Sequence, residues 1–187
     1  MSIAGLYRGV EKSNEERWTS ESPEASDRLS TTRMIRPTRG GFMTTEEDHR
    51  ALIQGFWADL ARRDFDKVGS YFAEDGHYED IPTPDAGATG PAQIAARLRV
   101  GLEPIEEYVH HTHEIVVEGN TVVTIHTEDW HFGDGVMVSL PFVSVHHIRD
   151  GLLIRWSDYW DLQTLLGAAP QWWLEHIAKA GTEAGLS

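Results

Sequence analysis

The sequence predicts an α+β domain: a curved antiparallel sheet with helices packed on one face. Apolar residues before position 102 recur with the spacing of amphipathic helices, and those after position 107 alternate with the period of strands. Glycine-containing turns divide this second region in the way that they divide consecutive antiparallel hairpins; they are Gly119-Asn120, Gly133-Asp134-Gly135 and Asp150-Gly151. Helices followed by such a meander define the α+β class.

The first part of the domain contains three predicted helices and one strand. The first helix, 46–63, can be capped by Thr44 or Thr45 ahead of an acidic first turn. Its apolar stripe consists of Leu52, Ile53, Phe56, Trp57 and Leu60. A short helix follows Asp64, a strand at 75–81 enters a loop rich in Pro and Gly at 82–91, and a third helix covers 91–102.

The second part contains four predicted strands, near 107–118, 121–132, 135–149 and 152–161. A final helix is predicted at about 170–180, where Trp172 and Trp173 give it an aromatic face. The sequence holds seven Trp, five Tyr and six Phe, which indicates an aromatic interior or cavity.

Residues 1–42 differ from the rest, since they are rich in Ser and Thr and show no sustained period of 2 or 3.6. We expect them to be disordered or loosely packed and dispensable for stability. The domain is expected to span 43–187, and Met43 is a hypothetical translation start.

Composition excludes several classes of function. The net charge of −14 argues against binding to nucleic acid or to an anionic membrane. The chain has no Cys, no apolar run long enough to cross a bilayer, and no apolar core of a signal peptide near its beginning. We therefore expect a cytoplasmic protein. No phosphate-binding Gly loop is present, and the sequence patterns imply no cofactor.

Asp158 is the first candidate for chemistry. It lies in an alternating stretch in which Ile154, Trp156 and Trp160 share its face. A carboxyl among apolar side chains either finds a partner or raises its pKa, and a raised pKa suits a proton carrier near neutral pH. The alternative is that Asp158 lies at a wet strand end.

Two further pairs of residues are two positions apart in a predicted strand, so the members of each pair share a face. Asp129 and His131 are two apart in strand 121–132, so both point into the cavity if their face is the inner one; the alternative is an exposed strand end. On that interpretation the outer face carries His126, Glu128 and Trp130, and it predicts a homodimer through that face. Tyr78 and Asp80 also share a face, where a hydroxyl and a carboxylate can orient water.

Histidines are frequent between positions 110 and 147, so metal binding must be considered. His111 and His113 share a strand face, but no carboxylate follows at a recognisable ligand spacing. Most of these histidines are interpreted as sheet-surface or rim residues, and no metal site is predicted. A Ser-His-Asp triad is unsupported, because no Ser stands at a strand-to-helix elbow.

Several strings resemble one family. The helix from Leu52 to Arg63, followed by Asp64-Phe65-Asp66 and Tyr71-Phe72-Ala73-Glu74-Asp75, is similar to the usual opening of the nuclear transport factor 2-like superfamily. Residues 44–180 resemble in particular its SnoaL-like and limonene-epoxide-hydrolase-like branches. That resemblance implies a cone, in which a strongly bent sheet wraps on helices around a deep apolar pocket. Phe56, Trp57, Phe142, Trp156 and Trp160 are the expected pocket walls.

The resemblance also implies site residues. His77-Tyr78-Glu79-Asp80 is similar to the hydrolase segment whose Tyr and Asn hold the attacking water, with Asp80 in place of the Asn. Trp156-Ser157-Asp158-Tyr159-Trp160-Asp161 is similar to Trp-Arg-Asp-Tyr-Phe-Asp, whose first Asp is catalytic. SnoaL-like polyketide cyclases also carry an acid/base Asp in this strand.

One string departs from the family pattern. The hydrolases carry Thr-Glu-Arg-x-Asp, whereas this chain has Asp129 and His131 in place of the Arg and the Asp. The hydrolase mechanism therefore does not transfer whole. Ketosteroid isomerase chemistry is disfavoured too, because the positions of its oxyanion donors align with Phe56 and Val145, which have no hydroxyl.

These patterns together predict an acid/base enzyme without a cofactor that acts on a small hydrophobic terpenoid, polyketide or other cyclic compound. Epoxide hydrolysis, cyclisation and dehydration stay open. Asp158 is expected to act as the base and His131 as the acid or the polarising group. Tyr78 and Asp80 are expected to position water or a substrate oxygen, and Asp129 to be a secondary carboxylate. The alternative is a non-catalytic ligand-binding or dimerisation module.

Overall fold

Helix α1 (Glu46–Ala61) begins at a capping box. The Thr45 side chain accepts a hydrogen bond from the Asp48 N–H at 3.1 Å, and the Asp48 carboxylate accepts one from the Thr45 N–H at 2.8 Å. The cap predicted at Thr45 is therefore confirmed. The apolar stripe is buried as predicted, with Ile53, Phe56 and Trp57 at most 2% exposed.

The computed structural model describes residues 45–83 and 85–183. The extension predicted for 1–42 and the hypothetical start at Met43 lie outside the described residues. The elements after α1 are α2 (Phe65–Gly69), β1 (Phe72–Asp80), β2 (Ala88–Thr89), α3 (Pro91–Leu102), β3 (Glu107–Glu118), β4 (Thr121–Gly133), β5 (Val136–Arg149), β6 (Leu152–Trp160), α4 (Leu162–Ala168) and α5 (Gln171–Glu183). The sequence patterns missed only β2 and α4 among these.

The strands form one bent, unclosed sheet in the order β2-β1-β6-β5-β4-β3. Strands β3 to β6 form the predicted antiparallel meander, and bulges in each of its ladders bend the strands. Strand β1 pairs parallel to β6, so the sheet is mixed and not wholly antiparallel as predicted. The reason is that α3 and the whole meander separate these two strands, which leaves room for a parallel crossover.

The core lies between the inner face of this sheet and the helices. Phe56 of α1 meets Trp156 of β6 edge-to-face at 5.0 Å, and the indole N–H of Trp57 donates to Thr124 Oγ1 at 3.2 Å. A bulge between His147 and Ile148 changes the register with β6, so Leu153 and not Ile154 is buried in the core. Among the described residues, no helix combines the length and the apolar character that crossing a bilayer requires.

Candidate active site

A cavity of about 860 Å³ opens between the inner face of the sheet and helices α3 and α5. Its walls are largely apolar, and their aromatic members are Tyr78, Trp130, Phe142, Trp156, Trp160 and Trp173. Three of the expected pocket residues, Phe142, Trp156 and Trp160, line it. Phe56 and Trp57 do not, because they are packed deeper, between α1 and the sheet.

Asp158 lies on the pocket wall and is only 2% exposed. Its Oδ1 accepts a hydrogen bond from the Trp156 indole at 2.5 Å and another from the Ser144 hydroxyl. Burial and then the negative charge of Asp80 raise the pKa of Asp158 well above its ordinary value. Because Oδ1 already accepts two donors, Oδ2 is the oxygen left to carry the proton. The alternative of a wet strand end is wrong.

Asp80 lies beside Asp158 across the parallel β1–β6 pair, since the two residues are register partners. Its Oδ1 accepts hydrogen bonds from the Tyr78 hydroxyl at 3.1 Å and the Trp160 indole at 3.0 Å. Its Oδ2 accepts one from Arg97 of α3 at 2.9 Å. A cation thus neighbours Asp80, while Asp158 has only neutral donors.

Arg97 joins this wall to the loop that follows β1. Its guanidinium also contacts the Asp85 carboxylate at 3.0 Å with two nitrogens. Gly87, at φ 72°, turns this loop back against β1, which a side chain would obstruct. The described polar wall therefore carries one guanidinium among four carboxyl groups, which belong to Asp80, Asp85, Glu128 and Asp158.

Glu128 and His126 project from β4 into the interior below the pocket. The Trp130 indole donates to Glu128 Oε2 at 2.9 Å, but burial dominates and raises the pKa of Glu128 to about 7. His126 Nε2 lies 2.8 Å from Ser144 Oγ. Because the Ser144 hydroxyl donates to Asp158, the imidazole must donate through Nε2. A buried polar chain therefore leads from His126 through Ser144 to Asp158.

Asp129 and His131 do not enter the cavity, so this part of the prediction is wrong. Asp129 lies on the outer face, where its carboxylate contacts His111 Nε2 at 2.9 Å. Its pKa is lowered, first by a hydrogen bond from Ser139 and then by that of His111. His131 lies on the same outer face, with Nε2 at 3.9 Å from Glu107. Neither residue can reach a substrate beside Asp158.

The error is one of strand face, because a shift by one residue moves every side chain of a strand to the other side. His126, Glu128 and Trp130 were expected outside, as a dimer surface, and are at most 8% exposed inside. A signal for the correct face was present in the sequence. The turn at Asp134 implies a hairpin in which His126 pairs with Phe142. Paired residues of adjacent strands point to the same face of the sheet, so an inward Phe142 implies an inward His126.

The parity error also hid Glu128. Ser144 and Arg97 were missed for other reasons. Ser144 of β5 is the register partner of Thr124 in β4 and of Asp158 in β6, a position that only the paired registers reveal. Arg97 sits in a helix with an ordinary amphipathic pattern. No local signal distinguishes it from Arg99, which pairs with the exposed Asp66.

N-terminal helices on a bent, unclosed six-stranded sheet, with buried carboxyls on the wall of an apolar pocket, place the chain among small α+β domains of the cone type. Residues 53–156 match the SnoaL-like domain family, and the chain belongs to that family. No curated protein matches the chain in sequence.

Solved structures share this fold at low sequence identity. An LEH-like epoxide hydrolase from M. tuberculosis is 21% identical with a TM-score of 0.57, covering 73% of this chain and 97% of that one. TerC, co-crystallised with polyporic acid, is 21% identical with a TM-score of 0.58, covering 65% and 97%. A protein from Shewanella putrefaciens CN-32 assigned as a SnoaL-like polyketide cyclase is 18% identical with a TM-score of 0.57, covering 65% and 95%.

Proposed function

We propose that this protein is an acid/base enzyme acting on a small hydrophobic molecule, with Asp158 as the proton donor and Asp80 as the proton acceptor. One observation carries this proposal. Two carboxyl groups are register partners on the wall of a largely apolar pocket, and their surroundings differ. Burial keeps the proton on Asp158, whereas Arg97 balances the charge of Asp80.

The chemical step follows from these two environments. Neutral Asp158 donates its proton to an oxygen of the substrate, so that a C–O bond breaks or a carbonyl becomes more electrophilic. Asp80 accepts a proton from water or from a substrate carbon, and the Tyr78 hydroxyl orients that group. Proton exchange with solvent restores both residues. The sequence-based assignment of Asp158 as the base is therefore revised, because a group with a raised pKa rests in its acid form.

The pocket limits the class of substrate. Its wall is mainly apolar, and its described charged groups are carboxyls around the single guanidinium of Arg97, so an anionic substrate is disfavoured. A volume of about 860 Å³ suits a terpenoid, polyketide or other cyclic compound. Epoxide opening, dehydration and cyclisation all need an acid for oxygen and a base nearby. Two of the structural neighbours are named for reactions of this kind, one as an epoxide hydrolase and one as a polyketide cyclase.

The test compares Asp158→Asn with Asp129→Asn on panels of epoxides, polyketide aldehydes and cyclic enols. Asp158→Asn keeps the shape and removes the proton, so turnover should fall by about 10²–10⁴-fold. Asp129→Asn, on the outer face of the same sheet, should keep wild-type turnover. The wild-type rate should fall as pH rises through the raised pKa of Asp158, since the acid form is the active one. Full activity of Asp158→Asn would refute the proposal.

One observation favours a second candidate, a module that only binds a ligand. Asp80 already accepts three hydrogen bonds from the protein, as a purely structural carboxylate would. TerC shows that a protein of this fold holds a compound such as polyporic acid. A binding module would give no turnover on any panel, and its affinity for a bound ligand would change little in Asp158→Asn.

A further inference from the structure

We propose that His110, His126 and Glu128 form a binding site for one divalent transition-metal ion of the zinc type. Each residue offers one ligand atom, and the three atoms lie within 4.8 Å of one another. Two imidazoles and one carboxylate are a donor set that zinc uses in proteins. This proposal does not depend on the proposed acid/base reaction, because it concerns binding of the metal itself.

Two of the three donor atoms, both imidazole nitrogens, have no hydrogen-bond partner among the described residues. They are His110 Nε2 and His126 Nδ1, and both are buried. Glu128 Oε1 lies 3.7 Å from His126 Nδ1, beyond hydrogen-bond distance. His126 is 1% exposed and Glu128 4%, so water does not replace the missing partners freely. A metal ion would satisfy all three atoms at once.

The remaining atom of each side chain is held in place. His126 Nε2 is 2.8 Å from Ser144 Oγ, and Glu128 Oε2 accepts from the Trp130 indole at 2.9 Å. His110 Nδ1 lies 3.4 Å from Thr112 Oγ1. Metal ligands in proteins are oriented by outer contacts of this kind, which fix the tautomer and the direction of each ring. Trp57 adds a stacked contact to His110 at 4.4 Å.

The charge states of the three groups agree with this geometry. Burial lowers the pKa of His110 to about 4 and that of His126 to about 2, so both rings are neutral, the form that binds a metal. Burial raises the pKa of Glu128, which has no cation beside it. A divalent ion would supply that cation and keep the carboxylate ionised.

The site needs a modest contraction. Ligand atoms around tetrahedral zinc stand about 3.3 Å apart, given bond lengths of about 2.0–2.1 Å. The three atoms lie within 4.8 Å of one another, so no pair must approach by more than about 1.5 Å. His126 Nδ1 and Glu128 Oε1, at 3.7 Å, need to approach by only about 0.4 Å. Side-chain torsions can supply this. His110 lines a second cavity of about 320 Å³ beneath α1, and Glu128 lines the large pocket, so the site lies between two cavities. Three protein ligands leave a fourth position for water.

A metal ion there would also act on Asp158 through the protein. Coordination at His126 Nδ1 requires the proton at Nε2, which then donates to Ser144 Oγ. The Ser144 hydroxyl in turn donates to Asp158 Oδ1. The metal ion would therefore fix the direction of the hydrogen bonds that end at Asp158.

The experiment uses the full chain, stripped with a chelator and titrated with zinc by calorimetry and with Co²⁺ by absorption spectroscopy. We expect one ion per chain, d–d bands of a four- or five-coordinate Co²⁺ with nitrogen and oxygen ligands, and a higher Tm with zinc. His110→Gln and Glu128→Gln should each weaken zinc binding at least tenfold, as loss of a ligand requires. The matched control is His111→Gln, next to His110 but on the outer face with Asp129, and it should bind zinc like the wild type.

The proposal is overturned if the wild type does not bind one ion, or if zinc binds both variants as tightly as it binds the wild type. A dichroism spectrum checks that each variant folds. If neither variant folds, the imidazole nitrogen NMR signals of the wild type test whether the buried histidines bind zinc. Zinc should shift those of two buried histidines and leave the His111 signals unchanged; shifts confined to exposed histidines would overturn the site.

Discussion

At the scale of single residues, the contrast between Asp158 and Asp80 shows how neighbours decide what a carboxyl does. Both are aspartates on adjacent strands and both face the same pocket. Asp158 receives hydrogen bonds from Ser144 and Trp156, which are neutral, whereas Asp80 receives one from a guanidinium. A neutral donor does not offset the loss of hydration that a buried charge suffers. The two carboxyl groups therefore differ in their surroundings chiefly because Arg97 contacts Asp80 and does not contact Asp158. This difference underlies the separate roles that we propose for them.

The raised pKa of Asp158 makes a prediction about stability. The folded protein keeps this proton to higher pH than the unfolded chain does, so the stabilisation is complete below about pH 4, the ordinary pKa of Asp. It is lost as pH rises toward the raised pKa. Asp158→Asn has no such proton, so its free energy of unfolding should increase relative to the wild type as pH rises from about 5, until Asp158 ionises in the folded protein. Urea unfolding at several pH values measures this difference.

The slope of that difference should be about 1.4 kcal/mol per pH unit until Asp158 is ionised in the folded state. Asp129→Asn is the control. The pKa of Asp129 is lowered, so its ionisation changes the free energy of unfolding only at acidic pH. Parallel curves for the wild type and Asp158→Asn above pH 5 would show that the Asp158 pKa is not raised.

At the scale of elements, α3 is tied to the active-site wall through one side chain. Arg97 contacts Asp80 at the end of β1 and Asp85 in the loop after it, and its side chain is 16% exposed. Arg99, two residues later, has a side chain that is 35% exposed, and it pairs with Asp66, whose side chain is 82% exposed. The same helix thus carries a partly buried ion-pair network and a solvated pair.

We predict that Arg97→Gln lowers the free energy of unfolding by about 2–3 kcal/mol, because two carboxylates then lose their cation in a partly buried place. Arg99→Gln should change it by less than about 1 kcal/mol, since an exposed pair is screened by water. Chemical denaturation of both variants at neutral pH measures the difference. Equal effects would mean that the network at Asp80 contributes no more than a surface pair.

The elements themselves were largely predictable, and the active-site face of β4 was not. Turn residues and period predicted the observed bounds of β3. The predicted bounds of β4, β5 and β6 differ from the observed ones by at most one residue at each end, because loops and strands differ in composition. On β4, however, apolar residues occupy both faces: Val122 is buried, and Ile125 is 40% exposed. Alternation therefore cannot identify the inner side there. Asp158 and Tyr78 were found because large aromatics mark their faces.

At the scale of the whole molecule, the outer face of the sheet carries an apolar row. Ile125, Val143 and Tyr159 are register partners across β4, β5 and β6, and they are 40%, 39% and 48% exposed. This row replaces the surface that was predicted from the wrong face of β4. Adjacent exposed apolar residues on a regular sheet are typical of contact surfaces.

We predict that the protein forms a homodimer through this row. Light scattering at micromolar concentration should give twice the mass of the chain for the wild type. Val143→Glu places a charge in the middle of the row and should shift the mass toward the monomer while the fold is kept. His113→Glu, a substitution at an exposed position of the edge strand β3, is the control and should leave the dimer intact. A monomeric wild type would contradict the prediction.

The parallel pairing of β1 with β6 has a consequence for the order of folding. Strands β3 to β6 join neighbours along the chain and can form early, whereas β1 must wait for β6, the last strand to be made. Without β1, Asp158 would lie on an open strand edge and would lose both the cover of that strand and the neighbouring charge of Asp80, which help to raise its pKa. The docking step then buries it beside Asp80, and uptake of its proton accompanies that step. We therefore expect the candidate active site to assemble in the same step that completes the sheet.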